Sequence, residues 1–400
     1  MDGDLATAMG HRLRRARRQR HQTQAVVAGL AGITTDYLYQ IERGKKLPAL
    51  PVVVELARVL RMPVSELLGE TMSSRPTPPL EAGAAIHRAL TQPTVGNDGT
   101  DPDALHAEIQ SAWRTWQSAP ERYSRLGVQL PDLITATEQL RHRYPQDGPA
   151  SSRRVQRCAL DLYGLVRTVA KRVGRIDLAL LAADRGLAAA EAADDPVRLA
   201  AARWNLVHVL LAQGQAEGAE AVARHAAEAL DGYVGDDLDA LAVQGALRLL
   251  KAVADVRQGK AWAARDEVRS VLPLAARTGE RNTCWTAFGP TNVAMYSVSV
   301  EVEAGDSSEG LRLAERIEPA PSLSIERRVA FQLEQAKGYT QRHDYAAALM
   351  MLQATSVEAP EDLKHRPAAR AALNTVVQRA RGPVARQAAG LATRMGVPVG

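Results

Sequence analysis

The sequence has little cysteine, little aromatic character and no long apolar stretch. Its two cysteines, Cys158 and Cys284, argue against a disulfide framework and favour a reducing compartment such as the cytoplasm. No apolar run approaches the ~20 residues that a membrane-spanning helix needs, and the N-terminus lacks the apolar segment of a secretion signal. We therefore expect a cytoplasmic protein with no membrane partner.

Motifs of enzymatic sites are also missing from the sequence. It contains no GxxxxGK phosphate loop, no HExxH zinc pair and no GxSxG nucleophile turn. The nine histidines are scattered singly, without the spacing of metal ligands. We accordingly expect no enzymatic activity, no bound metal and no cofactor.

Alanine, leucine, arginine and glutamate dominate the composition, as in helical proteins. A chain of 400 residues exceeds one ordinary core, which indicates several domains or an elongated repeat. The net charge of +5 is unevenly placed, because residues 9–61 hold eleven Lys and Arg against three acids. Residues 71–400 hold thirty-nine Lys and Arg against thirty-eight acids. The positive N-terminal segment is therefore expected to meet a polyanion.

Apolar spacing and capping residues divide the first seventy residues into short helices. The first helix carries an arginine-rich face. Thr23 caps the second, in which Val26, Val27 and Leu30 form the predicted buried stripe. Thr34 caps the third, and further helices are predicted at LPVVVELARVL and SELLGE.

The segment QTQAVVAGLAGITTDYLYQIERG resembles the helix-turn-helix of the Cro/phage-repressor (XRE) family. The resemblance lies in Thr23 and Gln24 at the start of the second helix, in Gly32 at the turn and in Gly44 after the third helix. It extends to about residue 70. It implies a five-helix, lambda-repressor-like DNA-binding domain over residues 1–70, whose third helix docks in the major groove.

The resemblance also implies roles for side chains. Base-reading positions fall at Thr35, Asp36 and Gln40, although Asp36 could instead only stabilise the helix N-terminus. Arg43 and the lysines that follow it neutralise phosphate charge. Family analogy pairs Glu42 with Arg17 inside the domain. The full expected DNA-binding set is Gln24, Thr34, Thr35, Asp36, Tyr39, Gln40, Arg43, Lys45 and Lys46.

The composition changes after this domain. Residues 71–100 are rich in proline, glycine, serine and threonine, which predicts a linker interrupted by a short helix at LEAGAAIHRAL. Residues 101–152 are expected to form a helical connector, which starts with Asp101 as a cap and Pro102 in the first turn.

One pattern recurs over residues 153–400: an apolar helix, a tight turn and a second helix that starts with small residues. The turns fall at Gly174, Gly214, Gly259, Gly305 and, by alignment, His343. Glycine suits them because a tight helix C-cap needs a positive φ. A small residue stands five positions after each turn, which lets paired helices approach closely. Stacked pairs form one continuous core, so the sequence predicts an all-α chain that ends in an α-solenoid.

These repeats resemble tetratricopeptide repeats, most clearly at RWNLVHVLLAQGQAEGAEAVA. In that fold the first helix of each pair lines a concave face, where mixed aromatic and polar side chains would suit a small ligand. Inward positions also include Asp161, Thr168, Arg172 and Lys337. The expected ligand-binding set is Trp204, Asn205, His208, Trp285, Phe288, Asn292, Met295, Tyr296 and Ser299.

Core packing is the alternative for part of this set. Pro290 could kink a ligand-facing helix that contains Trp285 and Phe288, or it could simply start a helix behind two core residues.

A DNA-binding head on a repeat body is similar to ligand-regulated, often peptide-sensing, bacterial regulators. The resemblance implies a homodimeric transcriptional regulator that binds an inverted-repeat operator in double-stranded DNA. A small molecule or short peptide would be its effector. The alternative is a DNA-tethered scaffold whose repeats bind a protein partner and no small ligand. A closed, partly apolar cavity would favour sensing, and an open, charged groove would favour a partner.

Overall fold

The computed structural model describes residues 2–20, 22–60, 62, 64, 67, 81–92, 101–144, 150–233, 235, 237–317 and 323–398. Their regular structure is helical, and an isolated β-bridge joins Arg281 to Phe288. The all-α prediction is confirmed. No helix within the described ranges is long and apolar enough to cross a bilayer. The chain divides into two compact units, Met1–Pro79 and Leu80–Gly400.

The first unit contains α1 Asp2–Gln19, α2 Gln24–Leu30, α3 Thr35–Glu42 and α4 Leu50–Val59. Two of them begin at threonine caps as predicted: the Thr23 hydroxyl accepts from the Val26 amide, and the Thr34 hydroxyl accepts from the Tyr37 amide. One apolar cluster, to which all four helices contribute, forms the core. The helix predicted at SELLGE falls largely outside the described residues.

The predicted buried stripe of α2 is wrong in part. Val27 is fully buried, but Val26 is 48% exposed and Leu30 is 58% exposed. The buried face consists instead of Val27, Ala28 and Ala31. A helix of seven residues can bury only one narrow face, and the two alanines let α2 approach the core closely. Val26 and Leu30, four residues apart, form the adjoining exposed face.

The second unit begins with α5 Glu81–Thr91, α6 Pro102–Ser118 and α7 Arg122–Arg143. Helix pairs follow: α8 Ala150–Arg172 with α9 Ile176–Ala193, α10 Pro196–Ala212 with α11 Ala216–Glu228, and α12 Leu238–Arg257 with α13 Ala261–Ser270. The third pair is followed by α14 Leu272–Thr278 and a 3-10 turn at Thr283–Trp285. Two more pairs come next: α15 Pro290–Ala304 with α16 Ser307–Ala314, and α17 Ile325–Gln341 with α18 Tyr345–Glu358. The last helices are α19 Pro360–His365, α20 Pro367–Arg379 and α21 Gly382–Met395.

The predicted turn positions are confirmed by their backbone conformation. The φ angle is 81° at Gly174, 75° at Gly214, 77° at Gly259 and 89° at Gly305. His343 has a φ of 61°, so it adopts the left-handed conformation despite its side chain. The small residues five positions later are all buried, as close pairing of the helices requires.

Part of the predicted linker is a packed helix. α5 contacts α7, and its Ile86 and Leu90 belong to the first core cluster of the second unit. α6 and α7 contribute Trp113, Trp116 and Tyr123 to the same cluster, together with residues of α8 and α9. Because of this shared core, α5, α6 and α7 pack as part of the helical stack. The rest of the predicted linker, residues 71–80 and 93–100, lies outside the described residues.

The two ends of the second unit contact each other. α6 contacts α17, and α7 is joined to α19 by Arg122, whose Nη2 lies 2.5 Å from Oδ2 of Asp362. Inside this closed arrangement a cavity lies between α6, α8, α10, the start of α17 and the loop of residues 279–289.

Candidate ligand cavity and DNA-binding helix

The cavity of the second unit is small and rich in tryptophan. Its free volume is about 50 Å³, room for about four water molecules. Four of the five tryptophans of the chain line it: Trp113 and Trp116 from α6, Trp204 from α10 and Trp285 from the 279–289 loop. Such a wall suits the planar or apolar part of a small ligand.

The 279–289 loop has an unusual backbone conformation. Its ends exchange two N–H···O hydrogen bonds of 2.8 Å. Between them Cys284, Trp285 and Ala287 have φ angles of 48°, 63° and 52°, a region that costs a residue with a side chain about 1–2 kcal/mol. Trp285 stacks on Trp113 with 4.8 Å between ring centroids and 7° between the planes. A strained loop is thus held against the cavity by an aromatic contact.

Two of the predicted ligand residues anchor this loop and do not line the cavity. Phe288 is 1% exposed, and its ring fills the space beside Gly245, where a Cβ would stand 2.1 Å from Cζ of Phe288. Asn292 is 3% exposed, and its Nδ2 donates to the Ala287 carbonyl at 2.6 Å. Pro290 lies in the first turn of α15, so it starts that helix and does not kink it.

Positive charge collects at the cavity. Arg167, Arg172 and Arg327 line it, together with the carboxylate of Glu326. Arg172 is paired with Glu326, and although burial opposes ionisation, Arg172 lowers the pKa of Glu326 below its usual range. Arg327 donates to the Thr286 carbonyl of the loop at 3.1 Å. Burial, reinforced by the nearby Arg172, lowers the pKa of Arg167 to about 9.

His208 and Lys171 form a second polar pair at this wall. Nζ of Lys171 lies 3.1 Å from Nδ1 of His208, and the His208 ring stands edge-on to Trp204 with centroids 4.2 Å apart. Burial, and then the charge of Lys171, lower the pKa of His208 well below its ordinary value. His208 is therefore neutral near pH 7 and can accept a hydrogen bond from Lys171.

Some of the predicted residues do line the cavity. Thr168, Arg172, Trp204 and His208, which were predicted from the repeat register, line it from the first helices of two repeats. Trp285, which was predicted from the segment around Pro290, lines it from the loop.

The other predicted residues lie away from the cavity lining. Asn205 accepts a hydrogen bond from Arg167 behind the wall, and Tyr296 lies under the guanidinium of Arg327 at 5.7 Å. Met295 is buried in a separate apolar cluster, and Ser299 is half-buried on α15. The charged inward positions are engaged elsewhere: Asp161 pairs with Arg198 at 2.9 Å and Lys337 with Glu303 at 3.0 Å.

Sequence reasoning missed Trp113, Trp116, Arg167 and Arg327. The first two belong to α6, for which only a connector was expected. A signal was nevertheless present, because two tryptophans three residues apart share one face of an amphipathic helix. No such pattern distinguishes Arg167 and Arg327 from the other arginines of this arginine-rich chain.

In the first unit, α3 presents an accessible polar face. Its two apolar residues are fully buried, whereas Thr34, Thr35, Asp36 and Tyr39 are exposed and Gln40 is half-buried. Nε2 of Gln40 donates to Oδ2 of Asp36 at 2.6 Å. Positions 35, 36, 39 and 40 follow helical spacing, so the residues predicted to read bases share one side of the helix.

An internal ion pair fixes α3 to α1, as predicted from family analogy. Nε of Arg17 lies 2.6 Å from Oε1 of Glu42, and its Nη2 lies 2.8 Å from Oε2. This hydrogen bonding to Glu42 raises the pKa of Arg17. Nε2 of Gln24 also donates to Glu42 at 2.8 Å, which ties the start of α2 to α3.

Basic residues follow α3 on the surface. Arg43, Lys45 and Lys46 are exposed. The Arg43 guanidinium lies 5.4 Å from the centre of the Tyr39 ring, and Nζ of Lys46 lies 5.7 Å from that of Tyr37. These cation–π contacts orient the two side chains while leaving their charges accessible to an anion.

The first unit matches a known family model. The match covers residues 8–68, and the model is described as a helix-turn-helix domain. These residues are a helix-turn-helix domain. Its motif consists of α2, the turn at Gly32 with a φ of 66°, and α3. The DNA-binding module implied by the sequence resemblance is confirmed.

The solved structures that match two thirds or more of the chain are of low sequence identity. PlcR of Bacillus thuringiensis, in complex with the peptide PapR7 and DNA, is 13% identical over 68% of this chain and 97% of that one, with a TM-score of 0.28. ComR from Streptococcus suis is 16% identical over 67% and 89%, with a TM-score of 0.22. ComR from S. thermophilus, in complex with DNA and its signalling peptide ComS, is 12% identical over 88% and 99%, with a TM-score of 0.23. No curated protein sequence matches the chain.

Proposed function

We propose that the protein is a sequence-specific transcriptional regulator of the bacterial cytoplasm. The observation that carries the proposal is the accessible polar face of α3 in a helix-turn-helix domain whose Arg17–Glu42 pair fixes that helix. Gln40 can bond adenine bidentately, and Asp36 can accept from a cytosine amine once their mutual hydrogen bond opens. Thr35 adds a hydroxyl and a methyl group.

Phosphate contacts supply the remaining affinity. The DNA phosphates are contacted after the recognition helix by Arg43, Lys45 and Lys46. Gln24 contacts them from the start of α2. Because these contacts release counterions from DNA, binding weakens steeply as salt is raised.

The regulator acts as a homodimer on an inverted repeat. One helix-turn-helix domain covers only a few base pairs, and domains of this kind reach specificity by placing two copies about 10 base pairs apart on one face of the duplex.

The second unit acts as the sensor, for a small molecule or short peptide. The tryptophan-lined cavity supports this role over the scaffold alternative, in which the repeats bind only a protein partner. A ligand that favours one arrangement of the helical stack shifts the population of the DNA-binding form.

Affinity selection from sheared genomic DNA tests the DNA-binding proposal. The purified full chain is expected to enrich an inverted repeat in the presence of excess competitor DNA. Retention of fragments without a common motif would show unspecific binding and overturn it. Sensing is tested separately with metabolite and peptide extracts. If no extract changes the DNA affinity or the melting temperature of the protein, the result favours the scaffold alternative over sensing.

A further inference from the structure

Two donors at the cavity have no partner. Arg167 is 3% exposed and Trp204 is 6% exposed. No residue of the described ranges accepts a hydrogen bond from Nε of Arg167 or Nε1 of Trp204. The two side chains come from α8 and α10, and the guanidinium lies 5.3 Å from the centre of the indole ring. Buried donors left unsatisfied are costly, so a missing acceptor is expected between them.

The charge of this region is also unbalanced. Glu326 and Asp362 are carboxylates that interact with the buried cations of this region. Against them stand Arg122, Arg167, Lys171, Arg172, Arg327 and Arg366. Burial and repulsion by Arg172 lower the pKa of Arg167 to about 9, and the pKa of Lys171 also falls well below its ordinary value. These directions are those of cations buried without enough negative charge.

The ion pairs that are present show that the uncompensated positive charge lies at the cavity. Arg172 is paired with Glu326, and Arg122 is paired with Asp362. Arg167 instead donates to the neutral amide of Asn205, and Arg327 donates to a backbone carbonyl of the loop. These two arginines, which have no carboxylate partner among the described residues, both line the cavity.

We propose that the cavity binds an oxyanion, the carboxylate or phosphate group of a small effector, between Arg167, Arg327 and the indole N–H of Trp204. The inference rests on the proposed sensing function and names the chemistry of its ligand. Guanidinium and indole donors suit an oxygen anion because charge-assisted hydrogen bonds to it are strong and directional. A volume of about 50 Å³ accommodates a group of this size.

The same contact offers a route for a signal. Arg327 holds the Thr286 carbonyl in the strained 279–289 loop. An oxyanion that accepts hydrogen bonds from the Arg327 guanidinium competes with the Thr286 carbonyl for the same donor. Binding of the oxyanion can therefore release the strained loop from Arg327.

Tryptophan fluorescence of the full chain provides the test, because four of its five tryptophans line the cavity. Sodium acetate, sodium phosphate and sodium chloride are titrated at matched ionic strength. We expect a saturable change with acetate or phosphate and none with chloride. Saturation by acetate alone identifies a carboxylate site, and saturation by phosphate alone identifies a phosphate site. A change that follows ionic strength equally with all three salts would overturn the proposal.

Variants locate the site. Trp204→Phe keeps an aromatic ring and removes the unpaired donor, so the dissociation constant should rise about tenfold. Arg167→Lys keeps the charge but loses the planar fork and should also weaken binding. Trp262→Phe is the matched control, because Trp262 is 73% exposed on α13, and it should bind like the wild type. Unchanged affinity in both cavity variants would contradict the assignment.

DNA affinity separates this inference from the function on which it rests. If neither oxyanion binds but the selected DNA does, the inference fails and the DNA-binding proposal stands. If an oxyanion binds and leaves DNA affinity unchanged, the site stands and its sensing role fails.

Discussion

Arg122 in α7 and Asp362 in α19 form an ion pair of 2.5 Å in which neither side chain is exposed. The hydroxyl of Tyr123 donates to Asp362 at 3.1 Å, and the Tyr123 amide donates to Glu361 at 2.7 Å. The residue before α7 offers no side-chain cap, so Glu361 of α19, more than 230 positions away in the sequence, accepts from the amides of Tyr123 and Ser124 instead. These contacts hold the two ends of the helical stack together.

Asp362→Asn should destabilise the second unit strongly. The substitution leaves the Arg122 guanidinium buried without a counter-charge, which costs about 3–5 kcal/mol of unfolding free energy. Denaturant unfolding followed by circular dichroism measures the loss.

Glu309→Gln is the matched control, because its ion pair with Arg312 is exposed and joins residues of a single turn. We expect no measurable change in that variant. Equal unfolding midpoints for the two variants would mean that the contact between α7 and α19 does not stabilise the stack.

His343→Gly should stabilise the protein. His343 occupies a turn where the other repeats have glycine, and its φ of 61° disfavours any side chain by about 1 kcal/mol. Gly214→Ala introduces the reverse strain at an equivalent turn where a Cβ meets no atom within 4 Å, so it should destabilise by a similar amount. Thermal unfolding of both variants checks the signs. A less stable His343→Gly would show that its 3.1 Å contact with the Tyr345 hydroxyl outweighs the strain.

Acid should weaken the second unit through the protonation of His365. Burial, with Lys364 and Arg370 nearby, lowers the pKa of His365 to about 4, whereas Glu361 acts in the opposite direction. The unfolded chain, with a histidine pKa of about 6.5, binds more protons between these values. Stability is therefore complete above about pH 6.5 and is lost as the pH falls toward 4.

Melting temperatures between pH 7 and pH 5 measure this loss. His365→Gln should reduce the slope, and the remainder belongs to His208, whose pKa is also lowered. His225→Gln, at an exposed position on α11, should leave the slope unchanged. A melting temperature of the wild type that stays constant or rises on acidification would contradict the expectation.

Glu42→Gln should loosen the helix-turn-helix domain. It leaves Arg17 buried without its carboxylate and weakens the tie to Gln24, at a cost of about 3 kcal/mol. Hydrogen exchange of the α1 and α3 amides in the full chain measures the effect. Glu55→Gln removes the partner of Arg58 in an exposed pair and should leave exchange unchanged. Identical exchange in both variants would mean that the buried pair does not fix α3.

Local patterns and family analogy predicted much of the fold. The turns at Gly174 and His343 were predictable because each repeat carries the same pattern of turn and small residue. The pair between Arg17 and Glu42 followed from the helix-turn-helix resemblance. Val26 was misplaced because a helix of seven residues fits more than one apolar stripe equally well.

The cavity was only partly predictable. Its loop adopts positive φ at Cys284, Trp285 and Ala287, which no propensity of those residues indicates. Its lining also brings together residues as distant in the sequence as Trp113 and Arg327. Long-range contacts of this kind leave no periodic signal in a single sequence.

The most direct test compares Gln40→Ala with Lys45→Ala on the selected operator and on scrambled DNA of the same composition. Gln40→Ala should lose about 1–3 kcal/mol of discrimination at one base pair while retaining unspecific affinity. Lys45→Ala should weaken binding to both DNAs alike and reduce the salt slope by about 1. If both variants lose the same affinity on both DNAs, α3 does not read bases and the account is wrong.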